Sequence, residues 1–204
     1  MRTHSPTLTL FAALAASSIL GAGAALAQTA PAAPAAVPTP VPAPTPVAVA
    51  TAALKTADGS DAGTVTSFEG PKGTIFRIDG KGWPAGWHAV HLHAVGTCEG
   101  PAFTSAGGHV NHAEGVRPHG LLNKTGGPDL GDLQNVYASA DGSVHADVYL
   151  AWEGLDAKPS DYIDANGLSF LVHASPDDYV SQPIGGAGAR IACGVFEAAA
   201  HAGH

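Results

Sequence analysis

Eleven histidines stand in this chain of 204 residues, and six of them fall between positions 88 and 119: His88, His91, His93, His109, His112 and His119. A lone histidine in a strand is usually a hydrogen-bonded core residue. His91 and His93 differ, because they flank Leu92 inside an apolar alternation over residues 89–93. Side chains at i and i+2 leave a strand on the same face, so both imidazoles project to one side. Paired imidazoles suit copper and zinc. His88 has the opposite parity and is expected to face away, in a packing role. Cys98 and Cys193 are the only two cysteines. In an exported protein an even pair favours a disulfide, with two free thiols as the alternative. A metal held by the pair is weaker, since no C-x-x-C spacing exists.

These residues need a scaffold, and the remaining pattern supplies an all-β one. Short apolar alternations recur at 52–54, 64–68, 74–78, 89–93, 136–138, 144–150, 168–172 and 191–196. Turn dipeptides punctuate them, among them Asp58-Gly59, Asp79-Gly80, Asp141-Gly142 and Asn166-Gly167. No stretch sustains a 3.6-residue period with caps. Eight short strands spaced this way predict an antiparallel sandwich or barrel. Two long gaps, 94–135 and 173–190, break the rhythm, and loops of that length inside a domain are usually functional or cross-linked.

Charge and composition narrow the partners. The chain carries 9 Lys+Arg against 17 Asp+Glu, with no charged side chain between Arg2 and Lys55. An acidic chain without a basic cluster is poorly suited to nucleic acid or an anionic membrane surface. Beyond residue 30 no apolar run approaches the ~20 residues that span a bilayer. Residues 1–27 read as a secretory leader ending in Ala25-Leu26-Ala27, the small-x-small pattern of a cleavage site; an uncleaved anchor is the alternative. Residues 28–48 hold 7 of the 16 prolines and form a semi-stiff spacer that cannot bury a core. The fold is therefore expected over 49–198, followed by a His-containing tail at 199–204. Trp83, Trp87 and Trp152 are expected in core or rim packing. The glycine-rich run 185–188 lacks the Lys-Ser/Thr of a phosphate cradle.

Taken in order, GWHAVHLHAVGTC (86–98), AGGHVN (106–111), GDL (131–133), LVHASPDD (171–178) and GGAGARIACGV (185–195) resemble the copper/zinc superoxide dismutase family, especially its secreted bacterial members. The resemblance covers residues 49–197. It implies an eight-stranded Greek-key barrel whose two long loops carry the site, and superoxide as substrate. It also implies His91, His93, His109 and His173 as copper ligands, with His109 bridging to zinc. Arg190 matches the arginine that guides superoxide, Asp177 the carboxylate linking a copper ligand to a zinc ligand, and Cys98 and Cys193 the family disulfide.

The zinc set departs from the pattern. Asp132 matches the family's aspartate and His119 the second histidine, but Asp129 stands where the third histidine belongs. His119 also lies ten residues after His109 rather than eight, and Arg117 takes the eighth place. The expected zinc set is therefore His109, His119, Asp129 and Asp132, with His112 as an alternative donor. An aspartate can ligate zinc through oxygen at about 2.0–2.2 Å. A degraded, metal-poor site is the opposing expectation. Arg117 and Lys124 would extend the positive patch around Arg190, or else form ordinary surface. The resemblance implies a periplasmic enzyme that alternately reduces and oxidises a His-bound copper. A non-catalytic copper-binding module or metal buffer on the same fold is the alternative, and a homodimer is left open.

Overall fold

The computed structural model describes residues 45–111, 115–151 and 166–199. The leader, most of the spacer, His112, Trp152 and residues 200–204 of the His-containing tail lie outside them. Among the described residues nine strands form: β1 Ala50–Thr56, β2 Asp61–Glu69, β3 Gly73–Gly80, β4 Gly86–His88, β5 Val90–His93, β6 Val136–Ala138, β7 Val144–Ala151, β8 Ser169–His173 and β9 Arg190–Ala198. Each expected alternation has its strand: 136–138 keeps its bounds, 168–172 shifts by one residue, 89–93 is interrupted at Ala89, and the rest are extended by one to three residues at one or both ends.

Alternation sorts the side chains by face. On β3, Thr74, Phe76 and Ile78 are buried while Ile75, Arg77 and Asp79 point outward. The outer residues pair across to β7 as Ile75–Tyr149, Arg77–Asp147 and Asp79–His145. Arg77 donates to both carboxylate oxygens of Asp147 at 2.9 Å. The inner residues join one core in which Phe76, Phe170 and Phe196 meet with ring centroids 5.9–6.4 Å apart. Trp83 is buried there and its indole N–H donates to the Ala62 carbonyl at 2.9 Å, whereas Trp87 is exposed against Tyr137.

The strand order is β5-β8-β9-β1-β2-β3-β7, with β4 and β6 paired separately. The one departure from eight strands sits at Ala89. Its N–H donates to the Ser175 carbonyl and its carbonyl accepts from the His173 N–H, both at 2.9 Å. These bonds turn the chain, so that 86–88 pairs with β6 and 90–93 pairs with β8. β4 and β5 are thus one long strand bent between two partners. β6 then returns to β7 through the tight turn at Ser139–Ser143. The crossing from β3 to β4, with β7 returning beside β3, gives the Greek-key path of an eight-stranded antiparallel barrel. Among the described residues the only helical element is the 3-10 turn Thr104–Ala106.

Only one edge of β5 is taken by β8, and the first long loop covers the other. Leu92 donates to Gly131 O at 2.9 Å and accepts from Val110 N at 3.0 Å, while Ala94 donates to Gly108 O at 3.0 Å. Isolated bridges set His93 beside His109 and His91 beside Asp132. A disulfide joins Cys98 on this loop to Cys193 on β9. Cys193, Phe103, Ala106 and Leu171 make a second small core beneath the loop.

Candidate metal centre

Four imidazoles converge where β5, β8 and the docked loop meet. Ligand atoms of His91, His93, His109 and His173 lie within 4.8 Å of one another. The same-face projection of His91 and His93 is realised, and both are fully buried. His173 ends β8 opposite Arg190 on β9, and the loop brings in His109.

Hydrogen bonds decide which nitrogen each ring has free. His91 Nε2 donates to Asp177 Oδ2 at 2.9 Å, His93 Nδ1 to Gly107 O at 2.9 Å, and His173 Nδ1 to Gly188 O at 3.2 Å. Each bond fixes the ring's orientation and tautomer. The other nitrogens, His91 Nδ1, His93 Nε2 and His173 Nε2, are buried and have no hydrogen-bond partner, and the same holds for His109 Nε2. A buried polar atom without a partner costs about 1–3 kcal/mol, so four facing one another mark a place built for a cation. Burial holds these rings neutral: it pushes His91 down to about 4, His93 to about 2 with help from His109, and His173 to about 3 with help from His91. Four imidazole nitrogens fit copper. His88 fails this test, because Nδ1 contacts His173 O and Nε2 contacts Pro84 O, each at 2.7 Å. Its role is packing, as its parity predicts.

A second group shares His109. Ligand atoms of His91, His109, His119 and Asp132 also lie within 4.8 Å of one another. His109 can serve both groups, since Nδ1 remains after Nε2 faces the first; His91 has one free nitrogen and can serve one. His109 Nδ1 lies 3.4 Å from Asp132 Oδ1, and His119 Nδ1 faces that same oxygen directly. His119 Nδ1 and Asp132 Oδ1 are buried without a hydrogen-bond partner. Asp129 is outside this tight group, yet its Oδ2 accepts from His109 Nδ1 at 3.1 Å. Burial opposes protonation of His119, but Asp132 and Asp177 outweigh it and raise its pKa to about 10. His109 is raised likewise, against burial, by Asp129 and Asp132. Burial raises Asp129, with neighbouring Asp132 contributing; Asp132 itself is lowered, against burial, by His109, His119 and the Gly120 N–H.

Asp177 ties the two groups together. It accepts from His91 Nε2 and, at 3.0 Å, from His119 Nε2. The residues that hold it escape sequence reading. The Asn135 amide pairs with both backbone groups of Asp177 at 2.8 and 2.9 Å, and the Asn135 N–H donates to Tyr179 Oη at 2.7 Å. The Tyr179 N–H donates to Asp177 Oδ1 at 2.6 Å. Gly185, at φ +60°, packs so closely that a Cβ there would overlap Asp177 Oδ1. Gly185→Ala is therefore expected to displace the carboxylate and weaken retention of the second metal by about 10–100-fold, the range for outer-sphere partners of metal ligands. Dialysis against a chelator, followed by metal analysis, checks this; unchanged retention would free Gly185 from the role.

Arg190 crowns the first group. Its guanidinium donates to Phe103 O at 2.6 Å and to Gly107 O at 2.7 Å, the latter being the carbonyl that also orients His93. Burial lowers its pKa, yet an arginine stays protonated in a protein. With His93, His109, Arg117 and Ile184 it lines a cleft of about 480 Å³ that leads to the imidazoles; Lys124 is not among its walls. Among the described residues, no helix is long and apolar enough to cross a membrane.

Comparison with known proteins agrees with this geometry. The family described as copper/zinc superoxide dismutase matches residues 62–196. The chain is 48% identical over 150 residues to the Cu-Zn superoxide dismutase of Caulobacter vibrioides, covering 72% of this chain and 84% of that protein. Cu-Zn superoxide dismutase 2 of Aquifex aeolicus is 36% identical over 147 residues, covering 71% and 84%. Among solved structures, the Brucella abortus Cu/Zn superoxide dismutase superposes with a TM-score of 0.56 at 29% identity, over 72% of this chain and 98% of that one. A SOD-like protein from Bacillus subtilis gives 0.62 at 29% identity, over 71% and 96%. In fold, in the paired metal-binding groups and in sequence over most of its length, the chain belongs to the copper/zinc superoxide dismutase family.

Proposed function

We propose that this protein converts two superoxide anions and two protons into dioxygen and hydrogen peroxide, with copper held by His91, His93, His109 and His173. One observation carries the assignment: four buried imidazole nitrogens face one another without hydrogen-bond partners, while three of the rings are pinned through their other nitrogen. Copper held by these four residues would supply the one-electron redox chemistry that dismutation needs. The chain supplies the rest. His109 presents Nε2 to the copper group and Nδ1 to the second group, where His119, Asp129 and Asp132 complete a zinc site. His109 also lines the cleft, with its side chain 5% exposed.

Arg190 is the anion guide. The whole chain is acidic, with a formal net charge of −8, but local field governs the approach of a small anion more than total charge. A guanidinium fixed by two backbone carbonyls sits beside the cleft and next to His93. A copper buffer needs the four imidazoles but no such arginine. Arg190→Ala is expected to lower the dismutation rate by roughly tenfold at low salt and to flatten its dependence on ionic strength. Stopped-flow rates across a salt series test this, and wild-type kinetics in low salt would remove Arg190 from the mechanism.

We also place the protein in the periplasm, exported by the leader over residues 1–27 and carried on the proline-rich spacer 28–48. Mass measurement of protein recovered from the periplasmic fraction checks both, with a start at Gln28 expected.

A further inference from the structure

Within the second group, His109 and Asp132 are docked on β5 by their bridges to His93 and His91. His119 is held by side chains instead. Its Nε2 is tied to Asp177 at 3.0 Å, which leaves Nδ1 toward Asp132 Oδ1. A ring tethered at one nitrogen still swings when its Cα moves, so the main chain must be fixed as well. The His119 N–H donates to Gln182 Oε1 at 3.0 Å, and Gln182 Nε2 donates back to the His119 carbonyl at 2.8 Å. A side-chain amide carries both a donor and an acceptor, so it can take both main-chain groups of one residue, as a neighbouring strand does. Gln182 belongs to the second long loop, 63 positions from His119. Its Nε2 also donates to Val180 O at 3.0 Å, which orients the amide. The seam between the loops continues alongside: Leu122 N donates to Tyr179 O at 3.1 Å, and a Cβ at Gly120, φ +118°, would overlap that same carbonyl.

We infer that Gln182 is a positioning residue for the second metal: from the opposite loop, its amide holds the His119 main chain so that Nδ1 stays turned toward Asp132. This rests on the zinc assignment proposed above. Gln182 itself is exposed, so hydrogen bonding rather than core packing is what it contributes. Removing the amide takes away the acceptor of the His119 N–H, whereas the carbonyl keeps a second donor, Asn123 Nδ2 at 2.9 Å. A donor already held in place costs a metal little ordering on binding; a loose one must be ordered at the expense of affinity. The two anchors of His119 thus divide the task. Asp177 sets the ring at Nε2, and Gln182 sets the backbone from which the ring projects.

Two substitutions test this. Gln182→Met keeps the length and the apolar stem but removes both hydrogen bonds, and Gln182→Ala removes the side chain. Disulfide-intact protein loaded with copper and zinc competes with a chelator, and both metals are counted per chain. Each variant is expected to hold zinc about tenfold less tightly than the wild type, the lower end for residues that act on a ligand from outside, because water can take the place of an exposed amide. Copper should remain at one per chain. With Co(II) loaded in place of zinc, the visible absorption of the variants should shift, reporting a displaced His119 donor, while the Cu(II) electron paramagnetic resonance signal stays that of the wild type. Zinc affinity within twofold of the wild type, an unmoved cobalt spectrum, or equal loss of copper and zinc overturns the positioning role, the last by showing a general loosening of the loops. A wild type that keeps copper but binds no second metal overturns the zinc assignment and the role together.

Discussion

His173→Ala loses copper and, with it, more than about 100-fold of the dismutation rate, since removing a direct ligand should exceed the upper end seen for outer-sphere partners. The position isolates chemistry from folding. His173 makes its structural contacts through the main chain: its N–H donates to Ala89 O and its carbonyl contacts His88 Nδ1. Alanine keeps both. What disappears is the ring, whose Nδ1 is pinned to Gly188 O and whose Nε2 faces the other three imidazoles. Copper analysis and stopped-flow rates are read alongside a circular dichroism spectrum. Native spectrum with lost copper is the expected result. Full copper occupancy and activity in the variant would exclude His173 as a ligand.

The paired substitution Cys98→Ser with Cys193→Ser has the largest expected effect on stability. The disulfide closes a span of 95 positions, for which chain entropy gives about 4–5 kcal/mol. For a domain of this size that corresponds to a fall in Tm of roughly 10–15 °C. The effect reaches the site as well. Cys193 packs with Phe103 and Ala106, and the Phe103 and Gly107 carbonyls are those that hold Arg190. Loosening that stretch should release the guanidinium before the barrel melts, so activity is expected to drop at temperatures where the circular dichroism spectrum is still native. Melting and activity curves that coincide would show that the disulfide serves the barrel alone.

How much of this was legible beforehand depends on the range of the interaction. The period-2 alternation located the strands and put His91 and His93 on one face, because that parity is a local property of extended chain. It also set His88 apart. It could not reveal the bend at Ala89, which is caused by Ser175 and His173, more than 80 positions away. The copper group was named through the motifs of the family it resembles, and the structure brings those four rings together. The second group was harder. His119 sits two positions away from the family spacing, and only the fold of the loop turns its Nδ1 toward Asp132. Asn135 and Tyr179 carried no readable signal, and Gly185 was read only as part of a family motif, not for its contact with Asp177. They act by backbone and shape on Asp177, and no sequence pattern announces that two distant loops will meet there. Tyr179 is one of two described non-glycine residues at positive φ, a cost that the Asp177 contact helps to explain.

The proposed copper centre of four imidazoles turns over superoxide with support from a modified second site. Its most direct test is superoxide dismutation by purified, disulfide-intact protein loaded first with copper alone and then with copper plus zinc. Strong copper-dependent activity that rises when zinc is added is expected, as the second group anchors His109 from its Nδ1 side. Copper bound at one per chain without turnover in either state would contradict it and leave a metal-binding module on a dismutase fold.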